Sequence, residues 1–188
     1  KEEQKLDVNI ELGLQTVNYH TLEKVNRGHT LAEFIDAVLR VKRYGFDTCV
    51  HLILNLPWDN MDDVVENAKV LSALGIEYVK LHSLYVVRGT VLGDMYERGE
   101  FEIIPMEEYV KRVATFLEYL DPAVVIQRLV GKGPKQSSLF SNWGVSWWLL
   151  KQRIEQYLEE HDIYQGKKCD YLNGKAVKDL AGLAQPPS

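Results

Sequence analysis

The sequence predicts an α/β fold with parallel strands. Three observations carry this. Short β-branched and aliphatic runs alternate with longer segments of helical period along the 188 residues, the pattern of repeated βαβ units. The strands are apolar on one face only, whereas a strand of an open parallel sheet covered on both sides is apolar on both. Neighbouring strands also offer polar side chains to a common face, which suits a barrel with its active site at the C-terminal strand ends.

Each element has its own signal. Val8 to Leu14 reads as a strand, with Val8, Ile10, Leu12 and Leu14 on one face and Asn9, Glu11 and Gln15 on the other. Thr21 to Asn26 is a short helical stretch. Thr30 caps a second helix from Leu31 to about Tyr44, in which Leu31, Phe34, Ile35, Val38 and Leu39 recur at helical spacing before Gly45 stops it. Thr48 to Leu56 is the second strand, where Val50, Leu52, Leu54 and Leu56 oppose His51, Ile53 and Asn55. Asp59 or Asn60 opens a helix with the stripe Val64, Val65, Ala68, Leu71 and Leu74, and Gly75 closes it. Ile76 to Leu84 is the third strand, with Val79 and Leu81 opposing Lys80 and His82. Met106 to Leu120 is helical and Pro122 breaks it. Val124 to Val130 is a fourth strand carrying Gln127 and Arg128, one on each face. Trp147 to His161 is a terminal helix, and Trp143, Trp147 and Trp148 are expected in the core, covering the barrel mouth. The tail ending Gln185-Pro186-Pro187-Ser188 has the composition of a frayed end.

Four strands are too few for a closed barrel, and an open half-barrel exposes an edge strand. The expectation is the C-terminal part of a partial TIM-type (β/α) barrel over residues 1–130, then a loop, helix and tail extension over 131–188. Such an edge also predicts self-association.

Composition narrows the function. Hydrophobic residues make up 46% and charged residues 26%, as in a folded globular chain. The formal net charge of -5 gives a nucleic-acid partner no bulk electrostatic support. Cys49 and Cys169 lie 120 positions apart, which matches neither a zinc site nor a redox Cys-x-x-Cys. Cys49 is expected to be buried on its strand and Cys169 to be a free surface thiol. No signal peptide and no apolar run of membrane-spanning length is visible, so a cytoplasmic protein without a membrane partner is expected.

Four stretches carry a resemblance: Glu11-Leu12-Gly13-Leu14-Gln15-Thr16, Lys24-Val25-Asn26-Arg27-Gly28-His29, His51-Leu52-Ile53-Leu54-Asn55-Leu56-Pro57 and Lys80-Leu81-His82-Ser83-Leu84-Tyr85-Val86-Val87-Arg88-Gly89-Thr90. Gln127-Arg128-Leu129 and the aromatics around Trp143 continue it. In this order the chain resembles radical S-adenosylmethionine (radical SAM) proteins, in the bacterial branch of predicted Fe–S oxidoreductases related to the Elongator catalytic subunit. The resemblance implies two cofactors. A Cys-x-x-x-Cys-x-x-Cys loop holds a [4Fe–4S] cluster, and S-adenosylmethionine bound to it is cleaved to a 5′-deoxyadenosyl radical that abstracts hydrogen. This chain has no such triplet. The motif and the first barrel strands are expected upstream, so the fragment alone is expected to be inactive.

The resemblance also assigns residues. Glu11 and Gln15 would contact the ribose and methionine parts of S-adenosylmethionine, Arg27 its carboxylate, and His51 and Asn55 cofactor or substrate. The Leu84–Tyr85 backbone would contact adenine. The loop Leu56-Pro57-Trp58-Asp59 lacks the family's glycine. By strand alternation Lys80 and His82 point inward and, with Arg128, would line the substrate pocket; Gly131-Lys132-Gly133-Pro134-Lys135 has the residues to cradle phosphate but lacks the Walker spacing and reads as a surface loop. Other uses of the same residues stay open. Glu11 and Lys80 can form an ion pair, His29 can orient Arg27, and Lys80 can serve a Schiff-base lyase. A non-catalytic binding module is a third reading. The substrate, small molecule or RNA, is not legible.

Overall fold

The computed structural model of the chain describes residues 8–133 and 137–169. Lys1 to Lys5, Pro134, Lys135 and the tail Gln185 to Ser188 lie outside the described residues. In chain order the elements are β1 (Asn9–Gln15), α1 (Tyr19–Lys24), α2 (Leu31–Arg43), β2 (Asp47–Ile53), α3 (Met61–Ala73), β3 (Tyr78–His82), β4 (Tyr85–Val87), α4 (Val91–Glu97), α5 (Met106–Tyr119), β5 (Val125–Arg128), β6 (Ser138–Ser141) and α6 (Trp147–Glu160).

The parallel sheet expected from the sequence is present, in the order β1-β2-β3-β5. Its apolar face is the core. Leu14, Val50, Leu52, Val79 and Leu81 meet Phe34 and Val38 of α2, Val64, Ala68 and Leu71 of α3, Val113 and Phe116 of α5, and Leu150 and Ile154 of α6. Burying each of these side chains contributes about 1.5–3 kcal/mol. Local chemistry fixes the helix starts. Thr30 and Glu33 form a reciprocal cap at α2, and Asn60 and Asp63 do the same at α3.

Periodicity misplaced some side chains. Leu39 is 54% exposed, because it follows Val38 and turns off the core-facing stripe. On α3 the buried set includes Asn67 and Ser72, whereas Val65 and Leu74 are only partly covered. Both polar groups are used. Asn67 Oδ1 accepts the Val17 N–H at 3.0 Å, and Ser72 Oγ accepts the Asp121 N–H at 3.0 Å. An apolar-stripe search has no way to find them.

The third strand also stops short of Leu84, and β2 stops at Ile53 rather than Leu56. The pairing between the two runs out at Ile53 with His82. Beyond it the chain turns into a second layer that the sequence reading missed. There β4 pairs antiparallel with β6, and Leu56, Leu84, Val86 and Phe101 form a smaller core with Trp58, Tyr96 and Phe140 packed against it.

Two tryptophans are not in the core. Trp147 is 40% and Trp148 57% exposed. Helix α6 turns Leu150 and Ile154 inward, and Trp148, two residues before Leu150, faces the opposite way. Trp143 behaves as expected. It packs 5.0 Å from Tyr109 and 5.3 Å from Phe140, and its Nε1 donates to Ile104 O at 2.8 Å. Among the described residues no helix is long and apolar enough to cross a membrane.

Candidate cofactor-facing site

The polar face of the sheet gathers side chains from all four parallel strands. Glu11 is the hub. Its carboxylate takes the Lys80 ammonium on Oε1 and His51 Nε2 on Oε2, the latter at 2.8 Å. These two partners, Lys80 first, hold the Glu11 carboxyl below its ordinary value. His51 Nδ1 lies 3.2 Å from His82 Nε2, and the two rings are stacked with centroids 5.2 Å apart. Burial and the neighbouring His51, Arg128 and Lys80 push His82 down to about 4, so it is neutral at pH 7. His51 Nε2 donates to Glu11, and neutral His82 can either donate to or accept from His51 Nδ1 through its Nε2. The result is a chain of hydrogen bonds across β1, β2 and β3.

Beside Glu11 the β1 backbone carries a second cluster. Arg27 donates to Gly13 O at 2.8 Å, and His29 Nε2 lies 2.9 Å from both Arg27 Nε and Gly13 O. A Cβ on Gly13 would come within 2.6 Å of Gln15 Nε2 and 2.8 Å of the Arg27 guanidinium. Gly13 therefore lets two side chains converge over the strand. Gln15 reaches there because the β1–β2 register shifts between Gly13 and Gln15, and Gln15 itself takes φ 73°. Gln15, His51, Ile53, His82, Leu84 and Tyr85 line a cavity of about 300 Å³.

Residues 2–71 match the model described as the Radical SAM superfamily, and residues 76–160 match the Radical_SAM C-terminal domain. The chain belongs to the radical SAM superfamily. It is 36% identical over 163 residues to uncharacterized protein MJ0486 of Methanocaldococcus jannaschii, covering 86% of this chain and 51% of that one. With uncharacterized protein YtqA of Bacillus subtilis it shares 33% identity over 158 residues, 84% of this chain and 49% of the relative. It thus spans about half the length of these curated relatives. The structure of Methanocaldococcus infernus Elp3 with an N-terminal deletion superposes with TM-score 0.73 at 22% identity, over 84% of this chain and 37% of that one. That likeness shows the α/β fold.

The other expected radical SAM site residues fall into two groups. Asn55 is fully buried just past β2, where its Oδ1 accepts the Leu84 N–H at 2.7 Å and ties β2 to the start of β4. The loop holding Asn55 is anchored from α5 by buried Arg112, which donates to Leu54 O at 3.2 Å and Asp59 O at 2.9 Å. Arg128 pairs in register with Lys80, on the polar face. Gln127 and Arg128 were expected one on each face, but Val79 pairs with Ile126 and Lys80 with Arg128, so the shift between them turns Arg128 onto the same face as Gln127. The buried Cys49 thiol reaches Gln127 Oε1 at 3.6 Å.

Donor atoms of Glu11, Cys49 and His51 lie within 4.8 Å of one another, close enough for a metal. The chemistry argues against one. Lys80 already supplies the cation at Glu11, and burial raises the Cys49 thiol away from the thiolate a metal requires. Sequence reasoning did not single out Gly13 as a site residue. Its signal was available, a glycine inside an otherwise β-forming run.

Proposed function

We propose that this chain is the nucleoside-facing portion of a radical SAM oxidoreductase, part of a (β/α) barrel completed by strands outside this sequence. The observation that carries the reading is the cradle at Gly13, where Gln15 and Arg27 converge beside the Glu11 carboxylate. A carboxylate with two acceptor oxygens suits vicinal ribose hydroxyls, and a guanidinium suits the methionine carboxylate. The donor set therefore fits S-adenosylmethionine. Glu11 and Gln15 would hold its ribose and methionine parts, Arg27 its carboxylate, and His51 the Glu11 carboxylate in place. When bound, S-adenosylmethionine and a [4Fe–4S] cluster supply hydrogen-abstracting radical chemistry. The chain has no cysteine triplet for the cluster, so by itself it would be inactive.

A Schiff-base role for Lys80 is less favoured, because its ammonium is engaged by Glu11 and its side chain is only 16% exposed. Among the described residues, strand β1 ends the sheet order. Its free edge would pair with the missing strands or, in the isolated fragment, with a second copy.

The test uses the complete gene product purified without oxygen. It is expected to hold about four irons per chain. Glu11→Ala is expected to raise the KM for S-adenosylmethionine by about tenfold, the loss of roughly one charge-assisted contact. Absence of iron, or an unchanged KM, would sink the reading.

A further inference from the structure

The far end of the polar face, beside β5 and α6, is built differently from the Glu11 end. A groove of about 460 Å³ there is lined by Arg128, Lys132, Lys151 and Trp147, with no acidic side chain among the described residues of its wall. It adjoins a cavity of about 750 Å³ that shares Lys132 and Trp147 and adds Ser138, Ser141 and Ser146. Lys151 is paired with Glu155 along its own helix. Arg128 and Lys132 have no carboxylate at ion-pair distance among the described residues, and both are exposed. The 131–133 backbone is pressed onto this end of the sheet. A Cβ on Gly131 would meet Tyr85 Oη at 2.7 Å and His82 Nδ1 at 2.9 Å, and one on Gly133 would collide with Ser141 Oγ. That packing sets Lys132 at the rim, between Arg128 and Trp147.

We propose that this groove is the substrate's anion subsite, and that the substrate is a small phosphate monoester carrying a flat ring. The inference rests on the radical SAM reading above, and it names the substrate class that reading leaves open. Arg128 and Lys132, with the Glu155-paired Lys151 beside them, match a dianion better than a single carboxylate. The guanidinium fork and the ammonium are the side chains suited to phosphate oxygens. Trp147, 40% exposed beside them, offers a face to a planar ring. The arrangement also separates the two ligands. The Glu11 carboxylate is at the opposite end of the face, where it would repel phosphate.

The test is equilibrium binding to the complete protein held without iron, read by calorimetry and by tryptophan fluorescence. The probes are phenyl phosphate, inorganic phosphate, benzoate and a short single-stranded RNA. Phenyl phosphate is expected to bind about tenfold more tightly than benzoate or inorganic phosphate, and to weaken about tenfold in Arg128→Gln and in Lys132→Gln. Trp147→Ser is expected to abolish the fluorescence change. Wild-type binding in both charge variants would overturn the proposal. So would benzoate binding as tightly as phenyl phosphate, or RNA binding more tightly through the same residues. Iron content and the KM for S-adenosylmethionine are read separately, so either proposal can fail alone.

Discussion

The two ends of the polar face use the same residue types to opposite effect. At the β1–β3 end, charge and hydrogen bonds close on themselves: Lys80 and His51 on Glu11, His82 with His51, Arg27 on Gly13 O and His29. At the β5–α6 end, Arg128 and Lys132 are exposed and Trp147 and Trp148 face outward. A closed network is held in one geometry before any ligand arrives, which is what positioning a reactive cofactor requires. An open cluster of exposed charge is held by water and counterions and contributes little to folding. Substitutions at the closed end should therefore move stability, and those at the open end should leave it nearly unchanged.

The sharpest test of that contrast is Asn55→Ala. The change removes the acceptor of a buried Leu84 N–H and leaves that donor unpaired. A loss of about 2–3 kcal/mol is expected. At this chain length that lowers Tm by roughly 4–12 °C in thermal unfolding. A shift near zero would mean that the Asn55–Leu84 hydrogen bond does not hold the end of β2 to the start of β4.

The next effect is smaller and depends on pH. His82 is depressed in the folded state to about 4 from 6.5, chiefly by burial and then by its cationic neighbours. The unfolded chain therefore binds a proton that the folded chain does not between those values. Stability is fully present above about pH 6.5, falls as pH drops toward 4, and levels off below. With solvent screening allowed for, the loss is on the order of 1–2 kcal/mol. The lowered Glu11 carboxyl adds loss in the same direction as pH falls below its ordinary value of 4.5. His82→Gln should flatten the pH 4–6.5 part of a urea-denaturation profile and leave the more acidic part. An unchanged profile in the variant would assign the slope to other groups.

How much of this was legible beforehand follows from where the signals lie. Alternation in each strand announced which face was polar, because side-chain direction in a strand has period two and burial sorts it. Thr30 and Gly45 announced a helix and its end through backbone chemistry that is local. The residues that were missed depend on tertiary neighbours. Asn67 and Ser72 look like defects in an apolar stripe until Val17 and Asp121 arrive with unpaired N–H groups. Gln127 and Arg128 share a face only because β5 shifts register against β3. The β4–β6 pair joins segments about fifty residues apart, and neither strand is long enough to declare itself alone.

The smallest expected effect bears on the open end. Aromatic residues at the start of α6 would be core if they capped the sheet, and removing a buried tryptophan costs about 3–5 kcal/mol. Trp148 is 57% exposed and faces away from Leu150 and Ile154. Trp148→Ser should therefore change stability by no more than about 0.5 kcal/mol, as surface substitutions do. Trp143→Ala provides the scale on the same protein, because Trp143 packs on Tyr109 and Phe140 and donates to Ile104 O. It is expected to cost several times more in the same denaturation experiment. Equal costs would place Trp148 under a covering segment and convert the open end into a second closed one. A large gap between the two keeps Trp148 in solvent at the start of α6, on the face turned away from Leu150 and Ile154.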